Sequence, residues 1–368
     1  MVKRALANLK AALHSAGFDG EIRRIGGHRF TFDPAGQHER FAAAATGVFG
    51  IASVDSVLEI PVADIDSLAA DVAARSADRV AGRTFAVRVK RRGTHTWNSM
   101  DLASRAGALL VAAGGKVNLD DPQETVAVTV LDDRAFLIQA HRAGPAGLPI
   151  GTQDPVLSLV SGGFDSVVAA WMMMTRGCPV EFVHFTLDCA QSDHAIAVAH
   201  ALCERWGHGV DPTVHVVEFQ PVKDALIEEV DSRMRQVALK VLMAQAAAAI
   251  ARERRISALV TGDALGQVSS QTLPHLVAVS KAVETPILRP LVGLPKQIII
   301  DYARRVGTAE ISARAREVCD LSGGGPVATA AREGAIRRSV DQVPEALMLD
   351  AVATRKTFLV GDWMPGGI

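Results

Sequence analysis

The chain has 368 residues, 49% of them hydrophobic and 21% charged, with a formal net charge of -1. That length allows two or three domains with sizeable cores, and the near-neutral balance excludes a global field that recruits nucleic acid or anionic membrane; such a partner must be drawn by a local patch. Four cysteines, Cys178, Cys189, Cys203 and Cys319, stand in no CxxC pair and no zinc spacing, which argues against a secreted disulfide scaffold and for a reducing cytoplasm.

The opening MVKRALANLKAALHSAG sets Leu6, Leu9 and Leu13 at helical spacing. Asn8, Lys10 and His14 interrupt its apolar stretch, so it reads as an amphipathic helix and not as a signal peptide. No run approaches the roughly 18 apolar residues of a membrane span, and a soluble protein is expected. EIRRIGGHRFTFD predicts a hairpin around Gly26-Gly27, and HERFAAAATGVFG with SVDSVLEI completes a small α+β layer over residues 1–58. A second unit over 59–142 opens with the helix DIDSLAADVAARSADRV, capped by Asp64 or Asp66. The strand TFAVRVKRRG, the helix SMDLASRAGALLVAA and the strands ETVAVTVLDD and RAFLIQAHR follow, with a tight turn at Asp132-Asp133. AGPAGLPIGTQDP, residues 143–155, is rich in Gly and Pro without periodicity and predicts a linker. Over 156–330 the short apolar runs VLSLV, VEFVHFTL, TVHVVEF and SALVTG alternate with helical segments, the pattern of an α/β doubly wound parallel sheet. Residues 331–368 read as a helical tail.

Two stretches carry chemistry. In LVSGGFDSVVAAWMMMTRG, residues 159–177, a strand turns directly into a helix through Ser161, Gly162, Gly163, Phe164, Asp165 and Ser166. Glycines accept the positive φ of an anion nest, and the first amides of a helix carry partial positive charge for phosphate oxygens. Ser161 and Ser166 add hydroxyl donors, while Asp165 either holds magnesium or caps amides; there is no GK[ST] and no GxGxxG. A bare SGG reads better as a plain strand-to-helix turn capped by Asp165. In FAVRVKRRGTHTW, strand alternation turns Phe85, Val87 and Val89 to a core and Arg88 and Lys90 outward, and with Arg91, Arg92 and His95 they form a cationic patch suited to backbone phosphates. The plainer reading is a solvated basic strand end.

SGGFDS at the end of the first strand of a parallel sheet resembles the PP-loop of adenylating ATP pyrophosphatases, which cleave ATP between the α and β phosphates and transfer AMP to a substrate oxygen. With EFVHF, VTGDALGQVSSQTL, ILRPLVGLPK and REVCDLSGGGP in the same order, residues 84–330 resemble the tRNA 4-thiouridine synthetase (ThiI) family, and the N-terminus does so more weakly. The resemblance implies a ferredoxin-like domain over 1–58, a THUMP RNA-binding domain over 59–142 and a PP-loop ATP pyrophosphatase domain over 156–330. It implies an ATP-dependent tRNA sulfurtransferase that adenylates the uridine at position eight and replaces its oxygen with persulfide sulfur, giving 4-thiouridine. ATP with Mg2+, tRNA, a cysteine desulfurase as persulfide donor, a homodimer and a cytoplasmic location come with it.

By the same resemblance the nucleotide site takes Leu159, Val160, Ser161, Gly162, Gly163, Asp165, Ser166, His184, Phe185, Lys240, Gly262 and Gln271. Asp165 matches the family's loop aspartate, Lys296 its activating lysine and Cys319 its catalytic cysteine, and Arg88, Lys90, Arg91, Arg92 and His95 match its THUMP signature for tRNA. The chain departs from the family in leaving no room for a rhodanese domain before Ile368, in lacking the CxxC of members with an iron-sulfur cluster, and in opening without the first strand of the ferredoxin-like domain. Val241 and Gln245 also stand where relatives are often basic. Cys189, at the carboxyl edge of the second strand, is expected to serve as resolving partner to Cys319. Two other functions fit parts of the pattern: a PP-loop ligase acting on another RNA or a small molecule, and a tRNA-binding module with a decayed nucleotide site.

Overall fold

The computed structural model describes residues 1–187, 192–314, 321 and 328–364. It divides into two compact units, one of residues 13–46 and 52–144, the other of residues 1–12, 47–51 and 145–368.

Helix α1 (Val2–Ser15) buries Leu9 and Leu13 as its spacing predicts. Asn8, expected on the polar face, is buried too, and its Nδ2 donates to the Ile150 carbonyl at 3.1 Å, which offsets part of the cost of burying the amide. Strands β1 (Arg23–Gly26) and β2 (Arg29–Thr31) form the expected hairpin, with Gly26 and Gly27 at φ +136° and +51° in the turn. Helix α2 (His38–Ala45) brings Phe41 onto Phe32, with ring centroids 4.8 Å apart, and Phe18 packs edge-on to both.

Next come β3 (Ser53–Pro61), α3 (Ile65–Ala74), α4 (Ala77–Val80), β4 (Thr84–Arg92), α5 (Ser99–Ala112), β5 (Lys116–Val117), β6 (Glu124–Leu131) and β7 (Arg134–Ala143). The sheet order is β3-β7-β6-β4-β5, with β4 parallel to β5 and β6 and the other pairings antiparallel. One face buries Phe85, Val126, Val128, Val130 and Leu137 against Leu68 and Val72 of α3 and Leu102, Ala106 and Leu110 of α5. Asp64 caps α3, its Oδ1 accepting from the Asp66 and Ser67 amides, and Asp66 pairs instead with Arg105. Strand β3 pairs along its whole length with β7, from Ser53 opposite Ala143 to Pro61 opposite Arg134. The expected boundary between residues 58 and 59 therefore falls inside a strand, and residues 1–58 do not stand together as one unit.

The second unit continues with β8 (Val156–Leu159), α6 (Phe164–Thr175), β9 (Val180–Thr186), α7 (Ser192–Trp206), β10 (Thr213–Glu218), α8 (Gln220–Glu229), α9 (Ser232–Arg254) and β11 (Ala258–Val260). After them come α10 (Leu273–Lys281), β12 (Ile287–Leu288), α11 (Lys296–Val306), α12 (Ala309–Ser312), α13 (Glu333–Asp341), α14 (Glu345–Ala353) and β13 (Lys356–Leu359). The sheet order is β12-β11-β8-β9-β10-β13; the first five strands are parallel and β13 is antiparallel to β10. Both faces are buried, which explains runs of apolar residues without alternation. Val156, Phe182, Val214 and Val260 face α6, α7 and α11, while Leu157, Val183, Val217 and Leu259 face α8, α9 and α14. Residues 331–368 depart from the expected helical tail: α13 and α14 lead into β13, and Val360 beyond it is fully buried.

Candidate nucleotide site

The order β11-β8-β9 places consecutive crossovers on opposite sides of β8, so the sheet's topological switch point lies between β8 and β11. The expected phosphate loop leaves β8 there. Gly162 takes φ +82°, which only glycine adopts freely, and Gly163 is the N-cap of α6. A Cβ on Gly162 would lie 2.6 Å from His194 Cδ2. Ser166 Oγ accepts from the Ser161 amide at 3.3 Å and donates to the Gly163 carbonyl at 3.4 Å, bracing the loop from inside. The next strand end, Gly262 after β11, lies directly on this turn: a Cβ there would stand 2.6 Å from both Asp165 C and Ser166 N.

Asp165 and Lys296 are brought together from 131 positions apart. Lys296 Nζ, at the first turn of α11, reaches Oδ1 and Oδ2 of Asp165 at 2.8 and 2.9 Å and lies 5.6 Å from the Phe164 ring centroid. Gln267 Nε2 donates to the same carboxylate at 2.7 Å. Read alone, Lys296 is a solvated helix-start lysine; the fold makes it the cation of the loop.

His184, at the end of β9, donates from Nδ1 to the Val160 carbonyl at 2.8 Å. Burial lowers its pKa and His194 pushes the same way, so the ring is neutral and Nε2 is a bare acceptor. Among the described residues that Nε2 has no partner, and neither do His194 Nε2, Gln267 Oε1 and Gln271 Oε1, all buried. Buried polar atoms are normally paired, and three of these four belong to residues set around the loop: His184 bonds the Val160 carbonyl, His194 lies against Gly162 and Gln267 bonds Asp165, where a polar ligand would have partners within reach. Phe185 differs from its neighbour. Its ring packs on Phe219 at 4.8 Å and belongs to the core.

Lys240 and Gln271 meet at a residue that sequence reasoning passed over. Asp263 Oδ1 accepts from Lys240 Nζ at 3.0 Å and Gln271 Nε2 at 3.4 Å, and Oδ2 accepts from Thr261 Oγ1 at 2.7 Å and Arg289 Nε at 3.3 Å. Burial alone would raise its pKa, but the charge of Lys240, the bonds from Thr261 and Lys240 and the charge of Arg289 hold it below the ordinary carboxylate range. Asp263, Arg289 and Gln267 all lie within segments singled out by sequence, but nothing local marks which of their polar residues turn inward.

Cys189 and Cys319 lie outside the described residues. Cys178 is buried just before β9, and burial pushes the Cys203 thiol up to about 12, which suits packing and not nucleophilic chemistry. Among the described residues no group of three or more His, Cys, Asp or Glu side chains stands together to hold a metal. Asp165 offers one carboxylate beside the loop, a donor set that fits a magnesium ion carried by nucleotide phosphates and not a site built wholly from protein.

In the other unit, Arg88, Lys90 and Arg92 are exposed on one face of β4, and Arg88 donates to the Leu119 carbonyl. Arg91 and His95 point elsewhere. Arg91 donates to His95 Nδ1 at 3.0 Å and to the Gly93 carbonyl at 3.1 Å, and His95 Nε2 donates to the Asp132 carbonyl at 2.7 Å, so these two brace a turn. The expected five-residue patch is thus three outward cations and a two-residue buttress.

A glycine turn at the switch point of a doubly wound sheet, with a lysine-aspartate pair beside it, is the arrangement of an α/β domain of the PP-loop class. The model of the family described as "Thiamine biosynthesis protein (ThiI)" matches residues 151–343, and that of the THUMP domain matches residues 62–138. The chain belongs to the ThiI family. It is 42% identical over 278 residues to a tRNA sulfurtransferase of Desulfurococcus amylolyticus, covering 75% of this chain and 58% of the relative. To one of Escherichia coli O139:H28 it is 39% identical over 292 residues, covering 78% and 61%. With a "Probable tRNA sulfurtransferase" of Aeropyrum pernix it shares 36% over 324 residues, covering 87% and 82%. The chain thus spans about three fifths of the length of the first two relatives. Among solved structures, one described as a 4-thiouridine synthetase-RNA complex with bound ATP superposes with a TM-score of 0.83 at 23% identity, covering 97% of this chain and 94% of the other, a likeness of fold. No helix among the described residues is long and apolar enough to cross a membrane.

Proposed function

We propose that the chain is an ATP-dependent tRNA sulfurtransferase that adenylates the uridine at position eight and exchanges its oxygen for sulfur. The observation that carries this reading is the Asp165-Lys296 pair on the SGGFDS nest, in a chain of the ThiI family. The tRNA sulfurtransferases among its relatives, the THUMP match and the RNA and ATP in the complex of like fold support it.

In this reading the phosphates lie over Ser161, Gly162, Gly163 and Ser166, on the amides at the start of α6. Leu159, Val160, His184, Lys240, Gly262 and Gln271 complete the nucleotide site, with Phe185 taking part through its backbone only. Magnesium supplies charge neutralisation when bound with ATP, and Asp165 is the residue that would hold it. The uridine O4 attacks the α-phosphorus, the bond to the β-phosphate breaks, and pyrophosphate leaves with the electron pair. Lys296 stabilises the negative charge that grows on the phosphates. The terminal sulfur of a Cys319 persulfide then attacks C4 and AMP departs, leaving the base joined to Cys319 through a disulfide. Attack by the Cys189 thiolate on the Cys319 sulfur releases 4-thiouridine and leaves a Cys189-Cys319 disulfide, which a dithiol reductant reopens.

The tRNA is held through its phosphates by Arg88, Lys90 and Arg92, with Arg91 and His95 shaping the turn beside them. A cysteine desulfurase supplies the persulfide, and the protein works as a cytoplasmic homodimer. The test is 4-thiouridine formation in unmodified tRNA with ATP, magnesium, a cysteine desulfurase and cysteine. Wild type is expected to form product and release pyrophosphate, and Cys319→Ser to release pyrophosphate without product. A wild-type protein that releases no pyrophosphate with tRNA present overturns the reading.

A further inference from the structure

We propose that Asp263 is the positioning residue of the nucleotide site, a buried carboxylate that holds Lys240 and Gln271 in the pose that receives ATP. The proposal rests on the nucleotide reading above and adds a residue to it. Thr261-Gly262-Asp263 follows β11 at the switch point, and Gly262 lies against the backbone of Asp165 and Ser166, so Asp263 is tied to the phosphate loop through one rigid turn.

The bonds around Asp263 divide into a fixed side and a movable side. Arg289 is fixed: besides Asp263 it donates to Ser280 Oγ at 2.8 Å and to the Leu276 carbonyl at 3.3 Å, both on α10, and its side chain is 12% exposed. Thr261 reinforces the same oxygen at 2.7 Å. Lys240 is movable. Its side chain is 26% exposed, and among the described residues its one hydrogen bond goes to Asp263. Gln271 shares that oxygen with Lys240, and among the described residues its own buried Oε1 has no partner. One carboxylate against two cations leaves the cluster with a net charge of one positive unit, which is free to meet an anion. Asp263 itself accepts four bonds and needs no ligand; it acts through Lys240 and Gln271.

The test is the ATP dissociation constant of the full chain by titration calorimetry, for wild type, Asp263→Asn, Lys240→Met and the double variant. Each single variant is expected to weaken ATP by about tenfold, and the double variant by no more than about twofold beyond the weaker single, because coupled residues do not add. Factors that multiply in the double variant, or an Asp263→Asn constant within about twofold of wild type, overturn the proposal. Asp263→Glu guards against a folding defect in the neutral variant. It keeps the charge but moves it by one methylene, and is expected to weaken ATP at least about threefold at an unchanged unfolding temperature. Unchanged binding in this variant also overturns the proposal. A wild type that binds ATP in this way yet releases no pyrophosphate with tRNA would sink the sulfurtransferase reading alone, while a wild type that binds no ATP would sink both.

Discussion

Gly262 shows how the site is governed at the scale of one residue. The atoms that its missing Cβ would meet are backbone, Asp165 C and Ser166 N at 2.6 Å, and backbone in the first turn of a helix does not give way cheaply. Gly262→Ala is therefore expected to push the turn off the loop and cut tRNA-dependent pyrophosphate release by about a hundredfold, the usual cost of a misplacement near 1 Å. Wild-type rates in this variant would show that the contact is slack. The loop was legible in the sequence because its requirements are local: glycine conformation, serine hydroxyls and a helix start all fall within six consecutive residues. The Asp263 cluster was not. Lys240, Thr261, Gln271 and Arg289 come from α9, two stretches after β11 and the end of β12, and only the packed fold shows that one carboxylate joins them.

At the scale of elements, strand β13 marks where periodicity stops being informative. Lys356, Thr357 and Leu359 are exposed and Phe358 is half-buried, so the segment lacks the double-sided apolar pattern of the central strands and reads as part of a loose tail. Its contribution is backbone pairing with β10, with Thr357 Oγ1 bonded to the buried His215 at 3.1 Å. The strands β8 to β11 were readable because both of their faces are buried. Val360, fully buried just after β13, tests the difference. Val360→Ala is expected to lower stability by about 2 kcal/mol in urea unfolding, as for other truncations of a buried aliphatic side chain. A change below about 0.5 kcal/mol would mean that this segment is not part of the cooperative unit.

For the molecule as a whole, acid stability is set in part by histidines buried in the neutral form. Burial lowers the pKa of His184 and His275 below the ordinary 6.5, and partial burial does the same at His208; at His184 the bond that the ring donates to the Val160 carbonyl opposes the shift. The unfolded chain therefore binds more protons than the folded one as pH falls through about 6.5. Stability is full above that value and is lost on acidification until the depressed folded pKa values are passed. The unfolding temperature is expected to fall between pH 7.5 and 5.5, and less steeply in a His184→Gln variant, as followed by circular dichroism. A flat or rising profile over that range would contradict the neutral assignment.

Phe49 stacks on Trp206 with ring centroids 5.3 Å apart, and both lie in the unit assembled from residues 1–12, 47–51 and 145–368. On a ribosome, where synthesis runs at about 5–20 residues per second, Phe49 emerges roughly ten to thirty seconds before the tryptophan it stacks on. Residues 13–46 and 52–144 can meanwhile close their own sheet, so the earliest segments of the nascent chain wait for the latest. A fragment started at residue 145 would make the phosphate loop without this wait, and would leave the place of Phe49 in its core unfilled.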